Sequence, residues 1–89
     1  MRSYKFFVSG RVQGVYYRAN VAKNAQNAGF NGYVRNLDDG RVEAGVCCEE
    51  LDLKDFLALL QRGSPLSSVE RIEHREIEEI FRGGFVVRQ

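Results

Sequence analysis

The run from Tyr33 to Cys48 constrains this chain more than any other stretch. Tyr33-Val34-Arg35-Asn36 is β-prone and is followed by Asp38-Asp39-Gly40. Val42, Ala44, Val46 and Cys48 then alternate with Arg41, Glu43, Gly45 and Cys47. An Asp-Gly pair supplies the left-handed backbone that a tight antiparallel connection needs, and strict alternation puts one face of the following strand into a core. The centre of the chain is therefore expected to be a hairpin. With 89 residues there is room for one domain, residues 1–89. A domain of this size buries only about 60% of its unfolded surface, so every other element must pack onto that hairpin.

The flanking segments fit this demand. Tyr4, Phe6 and Val8 alternate with Lys5, Phe7 and Ser9, which predicts a first strand. Tyr17, Val21, Ala25 and Ala28 recur at near-helical spacing, Ala19 and Ala22 broaden that face, and Gly29 is placed to stop it. Asp52 is positioned to cap a second helix with an apolar stripe of Leu53, Phe56, Leu57 and Leu60, ended by Gly63 and Pro65. From Val69 to Phe81 the pattern is open, because Val69 and Ile72, and Ile77, Ile80 and Phe81, also fit helical spacing. Gly83-Gly84 breaks the chain before a short strand, Phe85-Val86-Val87. The order predicts an α+β, ferredoxin-like split βαβ sandwich. It consists of an antiparallel sheet with two helices on one face and a short extra C-terminal strand. The first two strands would run parallel with the third between them, their C-terminal ends at one end of the sheet and roughly 10 Å apart.

Composition excludes several classes. Thirteen basic and twelve acidic side chains leave a net charge of +1, which argues against a general nucleic-acid or membrane-surface binder. No long apolar run follows Met1-Arg2-Ser3-Tyr4-Lys5, so neither a signal segment nor a membrane span is expected, and a cytoplasmic location is. Cys47 and Cys48 are neighbours that would point to opposite faces of a strand, which predicts reduced packing residues. Neither has the arginine six positions on that a cysteine phosphatase needs, since Leu53 and Lys54 stand there. His74 is the only histidine and lacks metal-site spacing. The Glu-rich run from Glu70 to Glu79 reads as solvated surface, and Arg11 and Arg35 as solvated flanking charges.

The segment Gly10-Arg11-Val12-Gln13-Gly14-Val15-Tyr16-Tyr17-Arg18 follows the first strand and opens a helix with an arginine. Amides at a glycine-bracketed turn and a helix start are natural anion ligands, and a guanidinium adds charge and paired donors matched to phosphate. Two glycines near an arginine are, alone, ordinarily just a turn. Asn36, likewise ordinary in a turn, would lie at the same end of the sheet. No Gly-Lys-Ser/Thr follows, so the loop is not a nucleotide P-loop.

Val8 to Arg18 closely resembles the first signature of the acylphosphatase family, and Gly32 to Glu43 its second. Gly63 to Glu70 and Gly84 to Val87 are also similar to that family, so the likeness spans essentially the whole chain. Tyr17 stands where the family usually has phenylalanine or methionine, and its hydroxyl needs a partner if buried. Cys48 stands where the second signature usually ends in glycine. The resemblance implies that the open stretch starting at Val69 is a strand. It also implies hydrolysis of a carboxyl-phosphate anhydride, with the phosphoryl group held by Arg18 and by the amides of Arg11, Val12, Gln13, Gly14 and Val15. Asn36 would orient the attacking water. No metal, no cofactor and no covalent intermediate are implied, and the partner is a small-molecule acyl phosphate met by a monomer. The residue types suit the chemistry, because a phosphoryl transition state spreads charge over equatorial oxygens and asks chiefly for positioning and electrostatic stabilisation. A carboxamide is not basic near neutrality, so Asn36 could align water but not deprotonate it. The alternative is a non-catalytic anion- or RNA-binding module on the same fold. RNA recognition would need aromatics on the open face of the central strands, where Arg41, Glu43, Gly45 and Cys47 offer none and Phe7 stands alone.

Overall fold

The central hairpin forms between β2 (Asn31–Asn36) and β3 (Val42–Cys48), with Val34 opposite Ala44 and Asn36 opposite Val42. These strands belong to a computed structural model that describes residues 1–89. On the other side of β3 lies β1 (Arg2–Arg11), antiparallel to it, and beyond β1 the edge strand β4 (Ser68–Ile77), so that the sheet order is β4-β1-β3-β2-β5 with β5 being Phe85–Val87. Helices α1 (Tyr17–Asn27) and α2 (Leu53–Arg62) complete the split βαβ order. No helix is long and apolar enough to cross a membrane.

The sheet is mixed rather than wholly antiparallel, because β5 pairs parallel to β2. The chain leaves β4 at one edge and crosses the outer face of the sheet before reaching the other edge, so it arrives running in the direction of β2.

The open stretch is a strand as far as Ile77, and the helical spacing of Val69 and Ile72 comes from a bulge. β1 and β4 slip register between Ser9 and Gly10: Ser9 lies opposite Arg71, but Gly10 lies opposite Val69. One residue of β4 is thereby absorbed, and Val69 and Ile72, three apart, both pack against the core. Gly10 has φ 126°, and a Cβ there would stand 2.2 Å from the Ser68 carbonyl oxygen. Only glycine permits this crossing.

Asp52 does not cap α2 as expected. A 3-10 turn, Glu50–Asp52, runs directly into the helix, so Asp52 has helical backbone angles and its carboxylate makes no cap bond.

The main core lies between the helices and one face of the sheet. Phe6, Val8, Val34 and Val46 meet Val21 and Ala25 of α1 and Phe56 and Leu60 of α2, with the Phe6 and Phe56 rings 5.3 Å apart. The Tyr17 hydroxyl finds the partner its burial requires, donating to the Leu60 carbonyl at 2.8 Å. Cys48 faces this core and Cys47 the opposite side. Both are free thiols, and burial, with nearby acidic groups, pushes the Cys48 thiol up to about 11.

The outer face differs from expectation. It carries aromatic rings, and they are covered. Phe81, from the crossing segment, packs edge-on against Tyr33 at 5.3 Å beside Cys47. The Arg88 guanidinium lies 4.1 Å over the Tyr33 ring, and Arg41 and Arg75 flank Phe7. Arg35 is not simply a solvated charge, for its Nε donates to Glu43 at 2.9 Å, and the Tyr33 hydroxyl donates to the same carboxylate. Burial pushes the Glu43 carboxyl up, yet the hydrogen bonds from Arg35 and Tyr33 and the Lys5 and Arg35 charges outweigh it and hold it below the usual range.

A depressed folded-state value means that the unfolded chain takes up the proton first as pH falls. Glu43 therefore contributes stability fully above its ordinary value of 4.5, and loses it as pH drops through the lower folded value. Glu43→Gln should lower the unfolding free energy at pH 7 by about 1–3 kcal/mol for a buried charged partner lost, read as a lower urea midpoint, and should flatten the acid limb. A variant whose midpoint falls with acid as steeply as the parent's contradicts this.

Candidate active site

The bulge at Gly10 turns the end of β1 out of the sheet, and the chain then has to reach the start of α1. Two buried side chains, Val12 and Val15, fasten the connection from beneath. Between and beyond them the backbone turns outward, with Gly14 at φ 74° and Tyr16 at φ 63°. From Gln13 to Ala19 no amide N–H donates to a protein acceptor, so the loop amides and the α1 N-terminus are open to a ligand. The first turn of α1 contains no acidic residue, and its partial positive charge is uncompensated.

Two ties hold this loop. The Ser64 hydroxyl donates to the Val15 carbonyl at 2.6 Å. The Gln13 carboxamide reaches across to the turn after β2, donating to the Leu37 carbonyl at 2.8 Å and the Arg41 carbonyl at 3.0 Å. The second tie fixes the loop relative to Asn36, the last residue of β2.

Arg18 projects from the first turn of α1. Its Nη1 donates to the Arg88 carbonyl at 3.2 Å, while the Arg88 amide donates to the Val34 carbonyl at 2.9 Å. The guanidinium is thus tethered to the strand pair β2–β5. The Asn36 Oδ1 is buried and has no hydrogen-bond partner. Leaving such an acceptor unsatisfied costs about 1–3 kcal/mol, and exceptions of this kind ask for a ligand or a catalytic role.

A cleft of about 390 Å³ opens here, lined by Val12, Gly14, Tyr16, Tyr17, Arg18, Ala19, Asn36 and Val87. It brings together Arg18, Asn36, Val12 and Gly14. Arg11 lies outside the lining, exposed at the end of β1 opposite Ser68. Gln13 and Val15 are also outside it, and their contacts hold the loop. Tyr16, Ala19 and Val87 were not legible as lining residues: nothing in the sequence announces a left-handed tyrosine, and Val87 enters only because β5 pairs parallel to β2. Cys47 and Cys48 sit at the far end of β3, opposite Ser3 and Arg2, and His74 stacks on Phe6 at 5.3 Å. None of the three reaches the cleft.

The acylphosphatase family model matches residues 4–87. An acylphosphatase of Haloarcula marismortui is 46% identical over 82 residues, covering 92% of this chain and 90% of that protein. Among solved structures, the chain is similar to the acylphosphatase of Bacillus subtilis, with a TM-score of 0.91 and 36% identity over the whole of both chains. It is also similar to an acylphosphatase of Coxiella burnetii, with a TM-score of 0.88 and 33% identity over 98% of this chain and 92% of that one.

Gln13→Ala removes the strap between loop and hairpin. It should cost about 1 kcal/mol for each bond lost and weaken binding of inorganic phosphate, as read by urea denaturation and titration calorimetry on one preparation. Unchanged phosphate affinity would show that the strap does not shape the cleft.

Proposed function

The chain belongs to the acylphosphatase family, and from that premise we propose that it hydrolyses acyl phosphates to a carboxylate and inorganic phosphate in the cleft between the β1–α1 loop and Asn36. The reading takes residues 1–89 as one domain acting as a monomer. One observation carries it above the others: Asn36 lines the same cleft as Arg18 and the loop. A binding module for a phosphate group has use for the arginine and the amides. A carboxamide set beside them adds a group that can hold and orient a water molecule.

In this mechanism the loop amides between Arg11 and Val15, with the Arg18 guanidinium, receive the phosphoryl oxygens. Asn36 holds a water molecule through its carboxamide and aims the water oxygen at phosphorus. The new P–O bond forms as the bond to the acyl oxygen breaks, and the carboxylate departs with that electron pair. The water proton passes to a phosphate oxygen of the substrate, so no protein base is required. Charge gathering on the equatorial oxygens is met by Arg18, the amides and the α1 N-terminus, all held in place beforehand. That supply of positive charge is the work a metal ion would otherwise do, and the proposed reaction is metal-independent.

A phosphate-release assay with acetyl and benzoyl phosphate tests this reading, with activity expected to persist in a chelator. Arg18→Gln should lower kcat/KM by about 10²–10³, equivalent to about 3–4 kcal/mol of transition-state stabilisation, with an unchanged circular dichroism spectrum. Asn36→Ala should lower kcat more than it weakens phosphate binding. Near-normal hydrolysis by Arg18→Gln would overturn the assignment. So would salt-sensitive RNA binding without phosphate release.

A further inference from the structure

The cleft is larger and less polar than a phosphate group requires. Its volume of about 390 Å³ lies in the range of small-molecule sites. Once Arg18, Asn36 and the loop amides are assigned to the phosphoryl end, the remaining lining is Tyr16, Tyr17, Ala19 and Val87, with no further charged side chain, and the Tyr17 hydroxyl is already engaged by the Leu60 carbonyl.

Two of these are large apolar side chains left in the open. Tyr16 is 75% exposed and Val87 47% exposed. The Tyr16 ring takes no part in the core, and its hydroxyl bonds to no protein group. Its backbone is left-handed, at φ 63° and ψ 21°, a conformation that disfavours an aromatic residue and that glycine adopts freely. The fold thus gains little from a tyrosine here and bears a strain for it. Such strain gathers where a side chain must be presented to a ligand.

Resting on the acyl-phosphate reading above, we propose that Tyr16 and Val87 form the subsite for the acyl group and select aromatic or branched apolar acyl phosphates over acetyl and carbamoyl phosphate. A flat ring and a branched aliphatic side chain offer dispersion contact and an apolar surface to cover. They offer no charge to an acyl chain bearing its own carboxylate, and the Tyr16 hydroxyl is the one polar group they add. Val87 stands next to Arg88, whose carbonyl receives Arg18. Tyr16 stands two residues before Arg18 on the other wall. An acyl group attached to a phosphoryl bound at Arg18 therefore emerges between them.

The test is the ratio of kcat/KM for benzoyl phosphate to that for acetyl phosphate, measured in the full chain and in three variants. The parent should favour benzoyl phosphate by about tenfold, within the range one hydrophobic pocket delivers, chiefly through KM. Tyr16→Gly removes the ring and the strain together, so it should fold at least as well as the parent while the ratio falls severalfold. Val87→Ser should lower the ratio too, and Tyr16→Phe should keep it. A ratio near one in the parent, or an unchanged ratio in Tyr16→Gly, overturns the subsite and leaves the hydrolase reading intact. Hydrolysis of neither compound overturns both.

Discussion

The crossing of backbone at Gly10 is the constraint from which the site descends. β1 must remain paired with β4 along one side while its last residues turn away to begin the loop. A bulge accomplishes both, because it absorbs a residue from β4 and increases the local twist. The approach to the Ser68 carbonyl is too close for any side chain. With any other residue the register of the edge strand, the exit direction of the loop and the position of Arg18 would all have to change together.

How much of this was legible in the sequence follows the range of the interactions. The β2–β3 hairpin was legible because the Asp39-Gly40 turn and the alternation after it are local. Both helices were legible from their apolar spacing. β4 was not, since its helical-looking spacing arises from a register slip against a strand some sixty residues earlier in the chain. The parallel pairing of β5 has no local signal, nor has the cover that Phe81 and Arg88 place over Tyr33. Within the site, Arg18 and Asn36 stood out through their signatures, and the loop through its glycines. The Gln13 strap did not, because a carboxamide has the same appearance in a sequence whether it holds a loop or faces water.

The near-neutral total charge conceals an uneven distribution. Acidic groups collect around the start of α2, at Glu49, Glu50 and Asp52, while the exposed edge strand β4 interleaves Glu70, Glu73 and Glu76 with Arg71 and Arg75. The cleft has Arg18 and a helix N-terminus with no acid in its first turn. The same arrangement serves β4, whose ten residues would otherwise be an open template for pairing with another chain. Alternating charges on such an edge discourage that association. One allocation of side chains thus leaves the first turn of α1 free of acid beside Arg18 and guards an exposed strand.

The hydrogen bond from Arg18 to the Arg88 carbonyl joins residues seventy positions apart, and it gives the site a place in time as well as in space. During synthesis β1, the loop and α1 emerge early, followed by the hairpin that carries Asn36. β5 follows all of them. A nascent chain can therefore hold most of its sheet while the guanidinium still swings without its tether. Closing so long a stretch of chain carries an entropic cost, and the guanidinium has this tether only while the last strand lies docked beside β2.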